Sequence, residues 1–197
     1  MKRLFAFSIL VISAAAFVQA QPKTTASPTP SKIDRTTKFD GNVEFPTVSG
    51  WTMSPKHVYP TPDLGYSVAY GSPQGGSVTV YVYRGGQKAI PNNLSGVVAA
   101  EMNQAKSDVQ TLVDRGSYEY AKLQRSETID LGGANGRVKA LYAGYDLGVQ
   151  GIDAVSEIYL FPYQDHFIKI RATRRKDLAK SDAFAKLLAD LDLLFSK

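Results

Sequence analysis

Strand-like segments joined by short turns constrain the fold of this 197-residue chain more than any other feature. Within residues 77–84, Val78, Val80 and Val82 alternate with Thr and Tyr, as side chains do on the two faces of a strand. A five-residue Ser/Pro/Gly turn separates this segment from a second β-rich segment at residues 64–71. Because turns of this length join neighbouring antiparallel strands, the pattern predicts a largely antiparallel sheet.

The remaining segments complete the predicted order of elements. Four further strands are predicted at residues 118–131, 137–147, 155–163 and 167–173. Apolar residues at three- and four-residue spacing predict helices over residues 94–114 and 180–195, the first capped by Asn92 or Asn93 and closed by Gly116. A short extra strand is possible around residues 42–45. The order β-β-α-β-β-β-β-α predicts an α+β fold, with about six strands covered by two main helices.

The register of the last hairpin can be predicted from its side chains. A three-residue loop at 163–165 pairs Glu157 with Arg171 and Ile158 with Ile170. This register places opposite charges across from each other and gathers aliphatic residues on one face. A shift by one residue pairs Ile158 with Arg171 and mixes the two faces, so we expect the first register.

The order of elements resembles the PsbP-like family of α/β/α sandwiches. Phe45-Pro46 and Gly50-Trp51, which precede the first long strand, match an aromatic, a proline and a Gly-Trp that family members often carry. The resemblance extends over residues 39–197. It implies a binding or accessory domain rather than an enzyme, and it assigns no functional residue.

The beginning of the chain has the layout of a secretory signal. Two basic residues precede an apolar run at 4–17, and small or modest side chains follow up to residue 20. The run is shorter than the roughly 20 residues of a membrane anchor, so we expect cleavage after residues 1–20. Residues 21–38 are rich in Pro, Thr and Ser and are expected to form a flexible linker. Residues 39–197 then form one domain of a secreted or periplasmic protein.

Composition narrows the possible partners. The chain has no cysteine, which excludes disulfides and thiolate metal ligands, so the hydrophobic core must stabilise the fold alone. Removal of two basic residues with the signal would lower the net charge from +5 to +3. This balance is too small to indicate nucleic-acid binding. No transmembrane segment is expected after the signal, and no cofactor is predicted.

Motifs for catalysis are weak. The two histidines, His57 and His166, are far apart and lack metal-ligand spacing. No Gly-x-Ser-x-Gly elbow is present. The glycine-rich residues 132–136 precede a strand rather than a helix, so they are better explained as a hairpin turn than as a phosphate loop. We therefore predict no catalytic residue and no metal site.

Tyrosines on strands are the first candidate for binding. The chain has 11 tyrosines, and Tyr81, Tyr83 and Tyr159 lie on predicted strands. Because tyrosine combines an apolar ring with a polar hydroxyl, a half-open sheet face carrying it can bind a ring, a sugar or a protein. The alternative is that a helix covers this face and the tyrosines border the core.

A basic cluster near the last helix is the second candidate. Arg171, Arg174 and Arg175 lie in or just after the last predicted strand, and a helix start attracts anions. Together they are suited to a phosphate, a sulfate or an acidic glycan. The alternative is a solvated charged surface with Asp177 nearby.

These observations lead us to expect an exported, non-catalytic binding or accessory domain. Its ligand is a small molecule or an envelope or extracellular protein, bound by the tyrosine-rich face or by a groove beside a helix. One alternative is an envelope hydrolase that uses His166 with a carboxylate. Another is a purely structural component of the cell envelope.

Overall fold

An antiparallel sheet of eight strands forms the centre of the fold. The computed structural model describes residues 43–133, 135–178 and 182–196. The predicted signal and linker, and Asn42 of the predicted extra strand, lie outside the described residues. The strands are β1 Thr52–Met53, β2 His57–Val58, β3 Tyr66–Gly71, β4 Gly76–Tyr83, β5 Tyr120–Asp130, β6 Lys139–Val149, β7 Ile152–Tyr163 and β8 His166–Arg175. The helices are α1 Val97–Asp114 and α2 Asp182–Phe195, with single 3-10 turns at Pro62–Leu64 and Lys176–Leu178.

The sheet has the order β1-β3-β4-β8-β7-β6-β5, and β2 also pairs with β3. Each pairing is antiparallel. The predicted α+β class and the order of the long elements are confirmed. Residues 43–45 form no strand. The edge of the sheet beside β3 is formed by the two-residue strands β1 and β2 instead. The connection through α1 carries the chain from β4 to the opposite edge at β5.

The two helices pack on opposite faces of the sheet. On one face, the predicted alternation directs Val78, Val80 and Val82 toward a core that includes Leu187 and Leu191 of α2. On the other face, the apolar stripe of α1 packs against β6 and β7; its buried residues are Val98, Met102, Ala105 and Val109. The sheet is therefore buried from both sides along much of its length, as in an α/β/α sandwich. In the part of the chain that the structure describes, no helix has the length and apolarity needed to cross a bilayer.

Helix α1 begins three residues later than its apolar pattern suggested. Gly96, with a φ of 56°, precedes it, and no side chain caps its first turn. The carbonyl oxygen of the Asn93 side chain instead accepts hydrogen bonds from the backbone N–H and the hydroxyl of Ser95. Because these bonds form a local turn, the prediction of an asparagine cap is wrong. Gly116 follows the helix with a φ of 71°, as predicted for a residue that ends it.

The β7–β8 hairpin has the register that we did not expect. Ile158 lies opposite Arg171, so the predicted pairing of Glu157 with Arg171 is wrong. The loop contains two residues, Gln164 and Asp165, whose φ values are 43° and 65°. Two consecutive residues with positive φ are typical of a type I′ turn, which sets the register through the backbone. As a result, Arg171 lies on the same side of the sheet as α1.

Candidate binding surface beside helix α1

The candidate site is the part of the α1-side face formed by β4 and β8. Helix α1 lies mainly over β5, β6 and β7, so it leaves side chains of β4 and β8 partly exposed. Tyr81 of β4 lies opposite Lys169 of β8, and all of Tyr81, Lys169 and Arg171 are half-buried. Tyr118, from the loop after α1, reaches the same region. We call these four residues the tyrosine–arginine surface.

Arg171 is held in place by an aromatic neighbour rather than by an acid. Its Nη2 donates a hydrogen bond of 2.7 Å to the hydroxyl of Tyr118, and its Cζ lies 5.9 Å from the centre of that ring. Among the described residues, no carboxylate oxygen lies within 4.0 Å of the Arg171 guanidinium. A guanidinium has five N–H donors, so Arg171 keeps donors for an acidic group.

Lys169 has a different environment. Its Nζ lies 5.0 Å from the ring centre of Tyr83 and 5.4 Å from that of Tyr81. Burial lowers the pKa of Lys169, although Glu101, whose carboxylate lies 3.9 Å away, and Asp108 oppose this effect. Lys169 is thus a cation held between aromatic rings and the acidic side of α1.

Tyr83 belongs to the covered side of this region. It is 7% exposed, and its hydroxyl donates a 2.5 Å hydrogen bond to Glu101 of α1. Burial raises the pKa of Tyr83, and the nearby charge of Glu101 raises it further. Tyr83 therefore connects the sheet to the helix and offers little surface to a ligand.

Tyr81 remains partly accessible. Burial raises its pKa, Tyr59 adds to this increase, and the positive charge of Arg171 opposes it. Beside Tyr81, the hydroxyl groups of Tyr59 and Ser67 lie 3.1 Å apart. The surface thus combines an aromatic ring, several hydroxyl groups and a guanidinium, which suits a ligand with both an acidic group and a ring.

Two of the predicted binding residues lie on the opposite face of the sheet. Tyr159 is 3% exposed and its hydroxyl donates to Glu157 at 3.1 Å. Arg174 is 5% exposed, lies 2.8 Å from the same carboxylate, and stacks on Phe184 of α2 with its Cζ 3.5 Å from the ring centre. Both residues are therefore part of the core under α2.

The third arginine of the predicted cluster lies at the end of β8. Arg175 is exposed and forms an ion pair of 2.8 Å with Asp177. Lys176, next in the chain, pairs with Asp146 at 3.0 Å. The structure thus separates Arg171, Arg174 and Arg175 instead of combining them into one anion site.

His166 contributes to the β7–β8 turn. Its Nδ1 lies 3.0 Å from the backbone oxygen of Gln164. The neighbouring Asp165 accepts a 2.7 Å hydrogen bond from the N–H of Ile90 and pairs with Arg84, also at 2.7 Å. These contacts give both residues a role in holding the turn. Within the described ranges, no group of three or more His, Asp and Glu side chains is placed to hold a metal ion.

A groove beside α1 is the other surface that the sequence suggested. It lies between α1 and β5 and is lined by Met102, Asn103, Lys106, Ser126, Thr128 and Leu141, among others. Lys106 donates a 2.7 Å hydrogen bond to the hydroxyl of Ser126 and so crosses the groove. Because this contact occupies the space between helix and strand, the groove is less suited to a ligand than the tyrosine–arginine surface.

The sequence analysis did not identify Tyr118 or Lys169. A signal for Lys169 is present in β8, where Phe167, Lys169 and Arg171 alternate with Ile168 and Ile170. This alternation places the two cations on one face. No comparable signal exists for Tyr118, since it reaches Arg171 across 53 positions of the chain.

Comparisons with known proteins give a likeness in fold alone. No model of a known protein family matches the chain, and no curated protein is significantly similar to it in sequence. Among solved structures, the chain is similar to the solution structure of cyanobacterial PsbP (CyanoP) from Synechocystis sp. PCC 6803. The match has 12% sequence identity and a TM-score of 0.48, and it covers 74% of this chain and 81% of that chain. It agrees with the fold-level resemblance expected from the order of elements.

Proposed function

We propose that this protein is an exported, non-catalytic binding or accessory domain whose tyrosine–arginine surface holds an acidic ligand. The supporting observation is the environment of Arg171. This cation is half-buried in a sheet face, and among the described residues no carboxylate pairs with it. Burial of part of a guanidinium costs free energy unless a partner accepts its N–H groups. A ligand carboxylate or phosphate would supply that partner.

The surroundings of Arg171 favour recognition of an anion joined to a flat ring. A guanidinium can donate two parallel hydrogen bonds to a carboxylate or phosphate. The hydrogen bond to Tyr118 fixes the guanidinium before a ligand arrives, which lowers the entropy cost of binding. Tyr81 presents an aromatic side chain that can pack on a sugar or other ring. A uronic acid is the simplest probe with both chemical features.

A titration followed by NMR tests this function. Glucuronate, inorganic phosphate and uncharged glucose are added in turn to the full exported chain labelled with nitrogen-15. We expect glucuronate, and phosphate more weakly, to shift the amide signals of β4 and β8 around Tyr81 and Arg171, while glucose has little effect. Arg171→Gln should weaken glucuronate binding about tenfold or more, because a hydrogen bond to a charged group is lost.

Arg175→Gln is the matched control, since it removes the same charge from the same strand at an exposed position paired with Asp177. It should leave binding almost unchanged. The proposal would be contradicted if the Arg171→Gln variant bound glucuronate as tightly as the original chain. Equal shifts of the amide signals in the Arg171→Gln and Arg175→Gln variants would also contradict it. Shifts confined to the groove between α1 and β5 would place the site elsewhere.

A further inference from the structure

In the part of the chain that the structure describes, strand β5 forms a long, open edge of the sheet. It is the last strand in the order and pairs on one side with β6 over Tyr120–Asp130. Its residues 122–128 are all exposed, and Leu123 is 50% exposed. An edge strand presents a row of backbone N–H and C=O groups that can pair with another strand.

The opposite edge is protected in a way that β5 is not. There, β1 and β2 have two residues each, and Pro55 lies in the segment between them. Short strands and proline are common protections against edge-to-edge pairing. Strand β5 has 11 residues and contains neither proline nor glycine; its protections are one irregularity between Leu123 and Arg125 and its charged side chains. The two edges therefore differ in their capacity to accept a strand.

The charges along β5 are arranged symmetrically about Ser126. Arg125 precedes this residue and Glu127 follows it, each by one position and on the same face of the strand; Lys122 and Asp130 lie four positions away on either side, but the irregularity between Leu123 and Arg125 places them on opposite faces. An antiparallel pair of two such strands places the positive half of each beside the negative half of the other. A parallel pair would place like charges together, which is unfavourable.

We propose that two copies of this chain pair through β5, antiparallel and centred on Ser126, to form a continuous sheet. In this arrangement Arg125 of each copy lies opposite Glu127 of the other. These two side chains share a face of β5, beside Tyr142 and Gly144 of β6, and already form an ion pair within one chain. Pairing across the dimer extends that ion pair to four charges around the two-fold axis. This dimer is independent of the ligand surface on β4 and β8.

Sedimentation velocity of the full exported chain, over micromolar to submillimolar concentrations, tests the dimer. We expect reversible dimerisation of the original chain. Arg125→Glu and Glu127→Arg each place like charges at the centre of the interface, and each should weaken dimerisation about tenfold. Combining both substitutions in one chain restores opposite charges across the two-fold axis and should restore most of the original affinity.

A mixture of the two single variants provides a second test. It compares the heterodimer with the two variant homodimers, so it does not depend on the affinity of the original dimer. The Arg125→Glu chain is negative at both central positions and the Glu127→Arg chain is positive at both, so the mixture should form the heterodimer in preference to either homodimer. Arg115→Glu, a charge reversal just after α1 and outside β5, is the control and should dimerise as the original chain does. A chain that stays monomeric throughout overturns the proposal, as does a dimer with equal affinity in all charge variants. Capture of a strand from a different protein by monomeric chain likewise overturns self-pairing.

Discussion

The carboxylate of Asp192 in α2 accepts a 2.8 Å hydrogen bond from the buried backbone N–H of Val138, which immediately precedes β6. The N–H of Arg137 donates to the same carboxylate at 2.9 Å. Asp192 is 4% exposed, and it therefore joins the last helix to the β5–β6 loop from inside the protein. A buried carboxylate with two amide donors is a stabilising link, because both N–H groups depend on it for an acceptor.

We predict that Asp192→Ala lowers the free energy of unfolding by about 2–3 kcal/mol, since it leaves two backbone N–H groups without their acceptor. Urea denaturation followed by the fluorescence of Trp51, the one tryptophan of the chain, measures the change. Asp190→Ala is the control: it removes a carboxylate from the same helix whose partner is the exposed Lys186. The control should cost less than about 1 kcal/mol, and equal losses in the two variants would contradict the prediction.

The ion pair of Arg174 and Glu157 supports the second prediction. Two tyrosine hydroxyls, from Tyr142 and Tyr159, also donate to Glu157, each at 3.1 Å. Arg174→Met should destabilise the fold by about 3 kcal/mol, because it leaves a largely buried carboxylate without its cation. Urea denaturation gives the value, and Arg175→Met at the exposed end of β8 should have an effect of about 0.5 kcal/mol or less.

A double substitution distinguishes the ion pair from simple loss of packing. Glu157→Gln combined with Arg174→Met should cost less than the sum of the two single changes, since either single change already removes the ion pair between these two side chains. If the loss of stability in the double variant equalled the sum of the losses in the two single variants, the two charges would not be coupled.

Alkaline pH should destabilise the protein through its buried tyrosines. Burial raises the pKa of Tyr159 above its usual value of 10.0, and Glu157 raises it further. The folded state therefore retains a proton that the unfolded state releases above pH 10, so stability is complete below pH 10 and falls as the pH rises beyond it. Absorbance of tyrosinate and circular dichroism should report ionisation and unfolding together.

The contribution of one tyrosine can be isolated with Tyr159→Phe. Above pH 10, each proton retained by the folded state steepens the loss of stability by about 1.4 kcal/mol per pH unit. The variant should therefore lose stability less steeply than the original chain over this range. An unchanged slope, or complete tyrosine ionisation while the circular dichroism remains native, would show that burial does not protect these hydroxyls.

The β7–β8 turn supports the fourth prediction. Gln164→Asn should raise the melting temperature slightly, by the equivalent of about 0.5 kcal/mol, because asparagine tolerates the observed φ of 43° better than glutamine does. Asp165→Gly relieves a similar φ of 65° but removes the acceptor for the N–H of Ile90 and the partner of Arg84. We expect this second change to lower the melting temperature. If both substitutions raised the melting temperature, the contacts of Asp165 would contribute nothing to stability.

The sequence determined the elements whose signals are local. The alternation of Val78, Val80 and Val82 identified a strand and its buried face, and the apolar spacing of residues 94–114 identified a helix that ends before Gly116. Turn-length connections were sufficient to predict antiparallel neighbours and the order of the long elements. These features depend on side chains a few positions apart, so one sequence contains the necessary information.

Only the tertiary structure decided the β7–β8 register and the composition of the candidate site. Because α1 and α2 cover opposite faces of the sheet, β7 has apolar residues on both, such as Ile158 and Phe161, and hydrophobicity does not distinguish two registers one residue apart. The backbone of the turn decided between them and placed Arg171 on the α1 side. The pairing of β4 with β8 then brought Tyr81 beside Lys169, 88 positions later in the chain. Such contacts follow from the order of strands in the sheet, which no short stretch of sequence specifies.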